Sequence, residues 1–325
     1  MPSINEFQKI FLDYLQDNAF EQAPQGLYQP VDYMMQLGGK RLRPVLVLLS
    51  YHLFRDDFRP ALPVALAMEV FHNFSLVHDD IMDEAPLRRG QATVHHRYGL
   101  NTGILSGDVM LILCYKYLVK VENSALIPAL VETFNEVAIK VCEGQQYDMD
   151  FETKEDVTIA AYLKMIEYKT AALIEGCMGM GGILAEAGAE NIAHLKAFGR
   201  NIGLAFQMQD DILDTFGDPD KFGKKVGGDI LNNKKTYLIL KAYELAGEAD
   251  RQRLKQWMRS TTESEAEKIN AVTQLLIDLN IQDLAMEKMI SYQETAFKHL
   301  AQVKASAEKK QILLNLAEAL LVREV

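Results

Sequence analysis

Apolar residues in this chain recur every three or four positions almost from end to end, and alternating apolar–polar stretches are few. That period belongs to amphipathic helices, so the sequence specifies an all-α fold and needs no strands. Breakers separate the runs at Pro24 to Pro30, Gly38-Gly39, Arg59 to Pro63, Ala85 to Gly90, Gly144 to Asp156 and Phe216 to Gly228. Thr262 and Glu265 have capping-box spacing and open a further helix near the C-terminus. No Gly/Ser or Pro-rich linker, low-complexity tract or periodic array interrupts the pattern. Residues 1–325 are therefore expected to form a single helical domain.

Against this background one motif occurs twice. Asp79-Asp80-Ile81-Met82-Asp83 and Asp210-Asp211-Ile212-Leu213-Asp214 both read DDxxD, and each ends an apolar helical run, Leu62 to Leu76 and Ile202 to Met208. The first and last carboxylates of a box are four residues apart and share a helix face, which suits hard oxygen ligation of a divalent cation. Acidic clusters are usually solvated helix faces. Here so many like charges beside an apolar run cost stability unless cations offset them. Magnesium between two facing boxes, holding a diphosphate, is the expectation.

Composition narrows the partners. The chain carries 34 basic and 45 acidic residues, a net charge of −11, which argues against a nucleic-acid binder or a basic membrane-adhering surface. An anionic substrate then needs local cations. Cys114, Cys142 and Cys177 are odd in number and lack CxxC spacing, so they read as buried thiols in a reducing compartment. The N-terminal residues lack a signal-peptide pattern. No uninterrupted apolar run is expected to reach membrane-spanning length, since Asp108 and Lys116 break Leu105 to Val121. A cytoplasmic protein with no transmembrane segment is expected.

Basic motifs accompany the boxes. Gly38-Gly39-Lys40-Arg41-Leu42-Arg43-Pro44 sets three cations after a glycine pair, with a proline tolerated in a helix's first turn, where an anion could dock. Arg88-Arg89 follows the first box within a few residues, offering guanidinium forks matched to phosphate oxygens. Gln207 lies one turn before Asp210, and Lys224, Lys225, Asp229 and Lys234 follow the second box on a Gly-rich loop. Lys169-Thr170 adds a cation to an otherwise apolar run, where a lysine more often snorkels. His78 and His95 read as polar residues satisfied by their neighbours.

In order along the chain, GGKRLRP, FHNFSLVHDDIMDEAPLRRG, EGQQYDMD, YKTAALI and FQMQDDILDTFGDPDKFGKKVGGDILNNKK resemble the trans-polyprenyl diphosphate synthase family. The resemblance runs from Gly38 to about Lys234. It implies a helical bundle around a deep central cavity, usually a homodimer, with magnesium bridging the boxes to an allylic diphosphate. Asp79, Asp83 and Asp210 would lead the metal ligands, with Asp80, Asp211 and Asp214 supporting and Asp229 in an outer shell. Arg88, Lys169, Thr170, Gln207, Lys224 and Lys234 would contact the allylic diphosphate. Lys40, Arg43, His72 and Arg89 would hold isopentenyl diphosphate. With Asp79 and Asp210, Lys169 and Thr170 are the candidate catalytic groups.

Product length should follow from the cavity floor beneath the first box. Phe74 and Phe71 lie roughly 7.5 and 12 Å below Asp79 along an ideal helix of ~1.5 Å rise per residue. A phenylalanine five positions before DDxxD, followed here by Ser75, resembles the archaeal-type geranylgeranyl pattern, and Phe71 could trim the product to farnesyl. In two places the chain departs from the family: Gly228 stands where a lysine is frequent, which leaves open whether Lys224 or Lys225 grips diphosphate, and Tyr237-Leu238 replaces a common Leu-Pro. A terpene cyclase would share the cavity and first box but not the second DDxxD, Lys40 and Arg43. A non-catalytic partner subunit would be expected to lose one box.

Overall fold

The computed structural model describes residues 2–218, 226–259 and 264–321. Helices dominate these residues, as the periodicity requires. They are α1 (Ile4–Asp17), α2 (Gln25–Gln36), α3 (Leu42–His52), α4 (Leu62–Met82), α5 (Val94–Tyr98), α6 (Leu100–Leu118), α7 (Ile127–Thr153) and α8 (Ile159–Ile166). After a π-helical turn at Glu167–Ala171 come α9 (Ala172–Leu184), α10 (Ala189–Phe216), α11 (Gly228–Leu231), α12 (Tyr237–Leu245) and α13 (Glu248–Arg259). The chain continues through α14 (Glu265–Asp278), α15 (Ile281–Gln302) and α16 (Ala307–Leu321).

Local chemistry explains several boundaries. Ser3 and Glu6 form a capping box that opens α1, the Ser3 hydroxyl accepting the Glu6 N–H and the Glu6 carboxylate the Ser3 N–H. At α14 the cap is Ser264, whose hydroxyl accepts from Glu267 N, not the expected Thr262, which lies outside the described residues. Among the described residues one pair of short strands does occur, Leu87–Arg88 with Gln91–Ala92. Its turn has positive φ at both Arg89 (54°) and Gly90 (75°), the geometry of a tight hairpin.

Two expected breakers are helix interior. α2 begins at Gln25 and carries Pro30 within it, because burial of Pro30, Val31, Met34 and Met35 outweighs one lost backbone bond. α7 runs through Gly144 as far as Thr153. Two other expectations also change. Cys142 is exposed, whereas Cys114 and Cys177 are buried, and all three are free thiols. The helical stretch Arg59–Met82 has the length and composition of a membrane span, but 72% of its apolar window is buried within the protein, as in a core helix.

The chain divides into two compact units, each discontinuous in sequence. Unit 1 comprises Met1–Ala138, Leu173–Lys196 and Gln302–Leu313; unit 2 comprises Ile139–Ala172, Ala197–Ala301 and Leu314–Val325. Within unit 1, α4 is almost wholly enclosed, and Phe7 of α1 packs on Phe58 with ring centroids 4.4 Å apart. Unit 2 is built around a core that includes Met165, Met208, Ile212, Leu238, Leu254, Leu276 and Ile281. The first acidic box belongs to unit 1 and the second to unit 2.

Candidate active site

In unit 1 the helical period sorts the three aspartates of the first box. Asp79 and Asp83 lie one turn apart at the end of α4, with the Asp83 N–H donating to the Asp79 carbonyl at 2.9 Å. Asp80, rotated about 100° from Asp79, is 1% exposed. Arg88 grips it from the hairpin, its Nε 2.8 Å from each carboxylate oxygen and its Nη2 2.6 Å from Oδ1. Burial works against the Arg88 charge, but the bonds and charge of Asp80 outweigh it and raise the guanidinium's pKa.

The hairpin turn sends Arg89 back to the glycine pair, where it donates to the Gly38 carbonyl. Gly39 has φ of 120°, and any side chain there would meet the Arg89 guanidinium at 3.0 Å. Both glycines are thus explained, one by conformation and the other by approach as well. The charges of Arg43, Arg89, Arg88 and Arg41 all act on His72. Burial first, and then those charges, hold its imidazole well below the usual histidine range, so it stays neutral. Arg43 has a buried Nε without a partner and, through burial, a lowered pKa. Lys40 is exposed, and its carbonyl accepts from Gln8 at 2.9 Å.

Arg41 has a different task from the other two cations of its motif. It is buried, paired with Glu69 at 2.6 Å, and donates to the Met35 carbonyl. Asn73 donates to the Glu69 carbonyl at 2.8 Å and to its carboxylate at 3.3 Å. This pair fastens the start of α3 to α4 and so fixes where the remaining cations stand.

Below the box, aromatic rings follow one another along α4. Phe74 lies 4.8 Å from the His78 ring and 5.5 Å from Phe71, which meets Phe134 edge-on at 5.2 Å. Phe71 is 0% exposed and Phe74 9%, so Phe74 is the nearer of the two to open space. Ser75 turns its hydroxyl to the His72 carbonyl at 2.8 Å. His78 is satisfied by the Ile104 carbonyl at 3.2 Å, whereas His95, contrary to expectation, has a buried Nδ1 without a partner.

Unit 2 repeats the sorting. Asp211 is 2% exposed, its Oδ2 accepting from the Tyr162 hydroxyl and its Oδ1 from Gln207 Nε2 at 3.1 Å. Burial and the nearby Asp229 push its pKa well up. Gln207 in turn accepts the Thr170 hydroxyl at 3.2 Å. Asp80 and Asp211, expected as supporting metal ligands, therefore already take donors on both oxygens within their own units. Asp214 accepts the Asp229 N–H at 3.0 Å, fixing the start of α11. Asp229 is pushed up to about 7, by burial and then by the charge of Asp214.

Lys169 and Thr170 stand on the π-helical turn, a bulge that re-aims side chains. Two glycines hold it. A Cβ at Gly144 of α7 would overlap the Lys169 backbone nitrogen, and one at Gly203 of α10 would lie 2.6 Å from Ala171 Cα. The Lys169 ammonium is 2.7 Å from Asp148 and that of Lys234 is 3.3 Å from the same oxygen. Burial would raise the Asp148 pKa, but the two lysines outweigh it and lower it. Asp148, Lys169, Thr170, Gln207, Asp211, Asp229 and Lys234 line one cleft of about 150 Å³. Lys224 and Lys225 lie outside the described residues.

Asp148 and Tyr162 of this cleft carried no role in the sequence reading. Asp148 sits in the EGQQYDMD segment, but its lysine partners are 21 and 86 positions away. Tyr162 meets Asp211 across 49 positions and gives no local signal. Among the described residues no group of three or more His, Cys, Asp or Glu side chains forms a closed metal cage. Magnesium fits what is present, since it is ordinarily held by one or two carboxylates with water and substrate phosphate completing its shell.

The chain has clear relatives among known proteins. The polyprenyl synthetase family model matches residues 24–276. A short chain isoprenyl diphosphate synthase of Methanothermobacter thermautotrophicus is 38% identical over 254 residues, 78% of each chain. A geranylgeranyl diphosphate synthase of Methanosarcina mazei is 34% identical over 302 residues, 93% of this chain and 91% of that one. A geranylfarnesyl diphosphate synthase of Natronomonas pharaonis is 35% identical, covering 99% and 97%. A crystal structure of geranylgeranyl pyrophosphate synthase superposes with a TM-score of 0.95 at 40% identity, covering 100% of both chains. An all-helical enzyme that transfers prenyl groups is the class these likenesses define. The chain belongs to the polyprenyl synthetase family.

Proposed function

We propose that this chain condenses isopentenyl diphosphate with an allylic diphosphate and that its product is geranylgeranyl diphosphate. The observation that carries the reading is the cleft in which Lys169 and Lys234 converge on Asp148 beside Thr170 and Gln207. Two ammoniums sharing the Asp148 carboxylate, beside two neutral polar groups and the carboxylates of Asp211 and Asp229, suit a diphosphate that arrives with a divalent cation. No continuous stretch of sequence makes up either compact unit, which supports treating residues 1–325 as one catalytic domain.

Ionisation of the allylic C–O bond sends the bonding pair onto the diphosphate, and the stabilisation of that charge governs the rate. Lys169, Lys234, Thr170, Gln207 and Arg88 bind and orient the leaving group in this reading, and Asp148 keeps the two lysines aimed. Asp79 with Asp83, and Asp210 with Asp214, would hold magnesium, whose charge when bound further stabilises the departing diphosphate. Asp80 and Asp211 act as supports, anchoring Arg88 and Gln207. Lys40, Arg43, Arg89 and the neutral His72 bind isopentenyl diphosphate. Its double bond attacks the allylic carbon, and the proton then lost passes to the released diphosphate. Apolar side chains such as Phe74 keep water from the cation.

The geranylgeranyl assignment rests on Phe74 with Ser75 after it, and on the fully buried Phe71 as a packing residue behind. The names of two relatives given above accord with it, while a third is named for geranylfarnesyl diphosphate. A homodimer is also part of the reading. Leu105, Ile112 and Val119 are 58%, 66% and 54% exposed and recur at heptad spacing on and just beyond α6, a stripe suited to pairing with a second helix. A cytoplasmic location completes the proposal.

Purified protein incubated with magnesium, isopentenyl diphosphate and, in turn, dimethylallyl, geranyl or farnesyl diphosphate tests it. Twenty-carbon product, lost on chelation, is the expected result. Diphosphate release without elongation would point to a cyclase, and no turnover at all to a partner subunit. A fifteen-carbon end product would replace the geranylgeranyl assignment with farnesyl diphosphate.

A further inference from the structure

Beyond Asp250 the sequence offers amphipathic helices and no chemical constellation, yet α14 carries a lysine that is 3% exposed. Lys268 donates from its ammonium to Asn233 Oδ1 at 2.7 Å. Enclosing an ammonium costs several kcal/mol unless it is well hydrogen-bonded, and a hydrocarbon side chain would fill the same space more cheaply. Burial pulls the Lys268 pKa down.

What Lys268 holds is the end of a functional turn. Asn233 has φ of 54°, and its N–H donates to the Ile230 carbonyl at 3.2 Å, terminating α11. The next residue, Lys234, donates its N–H to the Asp229 carbonyl at 2.9 Å and sends its side chain to Asp148. Asn233 itself lines the same cleft. At the other end of α11, Gly227 has φ of 86° and lies under Ile269, where an added Cβ would come within 2.7 Å of the isoleucine side chain. Consecutive residues of α14 thus pin both ends of the turn that carries Asp229 and launches Lys234.

We propose that Lys268 is a positioning residue for diphosphate binding, acting through Asn233 to fix the α11 turn and with it Lys234. The proposal rests on the function inferred above and adds α14 as the strut of the allylic-diphosphate site. Lys268→Met keeps length and removes the donor. Asn233→Gly removes the acceptor and tolerates the left-handed backbone.

Each variant and the pair together are compared with wild type in steady-state turnover, and in calorimetric binding of inorganic pyrophosphate with magnesium. Each single change should raise KM for the allylic diphosphate about tenfold, with KM for isopentenyl diphosphate unchanged. Pyrophosphate affinity should weaken in parallel, and the double variant should be no worse than either single one. Losses that add in the double variant, or wild-type pyrophosphate affinity in either folded variant, would overturn the role of Lys268. Should Lys268→Met fail to fold, Lys268→Gln, whose shorter amide falls short of Asn233, takes its place in the same single and double comparisons with the same outcomes. A wild-type protein that neither turns over nor binds pyrophosphate would instead remove the functional reading beneath it.

Discussion

Arg88 closes on both oxygens of Asp80, and only one of the two partners comes from the helix that bears the acidic box. The clamp ties the hairpin to the end of α4. Because Asp80 is enclosed, removing Arg88 leaves a buried charge unpaired. Arg88→Met should destabilise the protein by about 3–5 kcal/mol. Asp80→Asn, which keeps the shape and removes the charge, should cost less. Urea denaturation midpoints of the two variants check the order, and equal midpoints would mean the pair is solvated in solution.

Phe74 is the nearer aromatic to open space and Phe71 is packed behind it. Phe74→Ala should therefore lengthen the product distribution while leaving the fold intact. Phe71→Ala should chiefly destabilise, by about 3–5 kcal/mol, as large-to-small changes in closed cores do. Product chromatography and thermal denaturation on both variants separate the two roles. An unchanged chain length in Phe74→Ala would remove it as the stop.

The π-helical turn depends on a residue 25 positions away, since nothing larger than a hydrogen fits at Gly144 against Lys169. Gly144→Ala should displace that turn. The expected result is a loss of about 1–3 kcal/mol in stability and a larger loss of kcat/KM than helix propensity would suggest. Alanine is the better helix former by about 1 kcal/mol. A gain in stability with unaltered kinetics would show that the close approach does not persist in solution.

His72 gives the protein a predictable acid sensitivity. Its folded pKa is held below the ordinary value, by burial and then by Arg43, Arg89, Arg88 and Arg41. As pH falls through about 6.5 the unfolded chain takes up a proton that the folded protein refuses. The unfolded state then binds more protons, so stability declines as pH drops below that value. His72→Asn removes this contribution, and its stability profile between about pH 7.5 and pH 5 should be flatter than that of wild type. Denaturant midpoints across that range measure it, and two parallel profiles would reject the assignment.

Much of this protein was legible without coordinates. Helical periodicity fixed the fold class, and the i, i+4 spacing of each DDxxD box fixed which two aspartates share a face, because both depend only on the 3.6-residue turn. The motif order from Gly38 to Lys234 carried the family. Tertiary structure decided the rest: that Arg41 belongs to Glu69 and not to a ligand, that Gly144 is a point of helix contact and not a break, and that Asp148 joins Lys169 to Lys234. Each of these depends on partners between 21 and 86 residues apart, so only the packing of the helices, which no local pattern encodes, could bring them together.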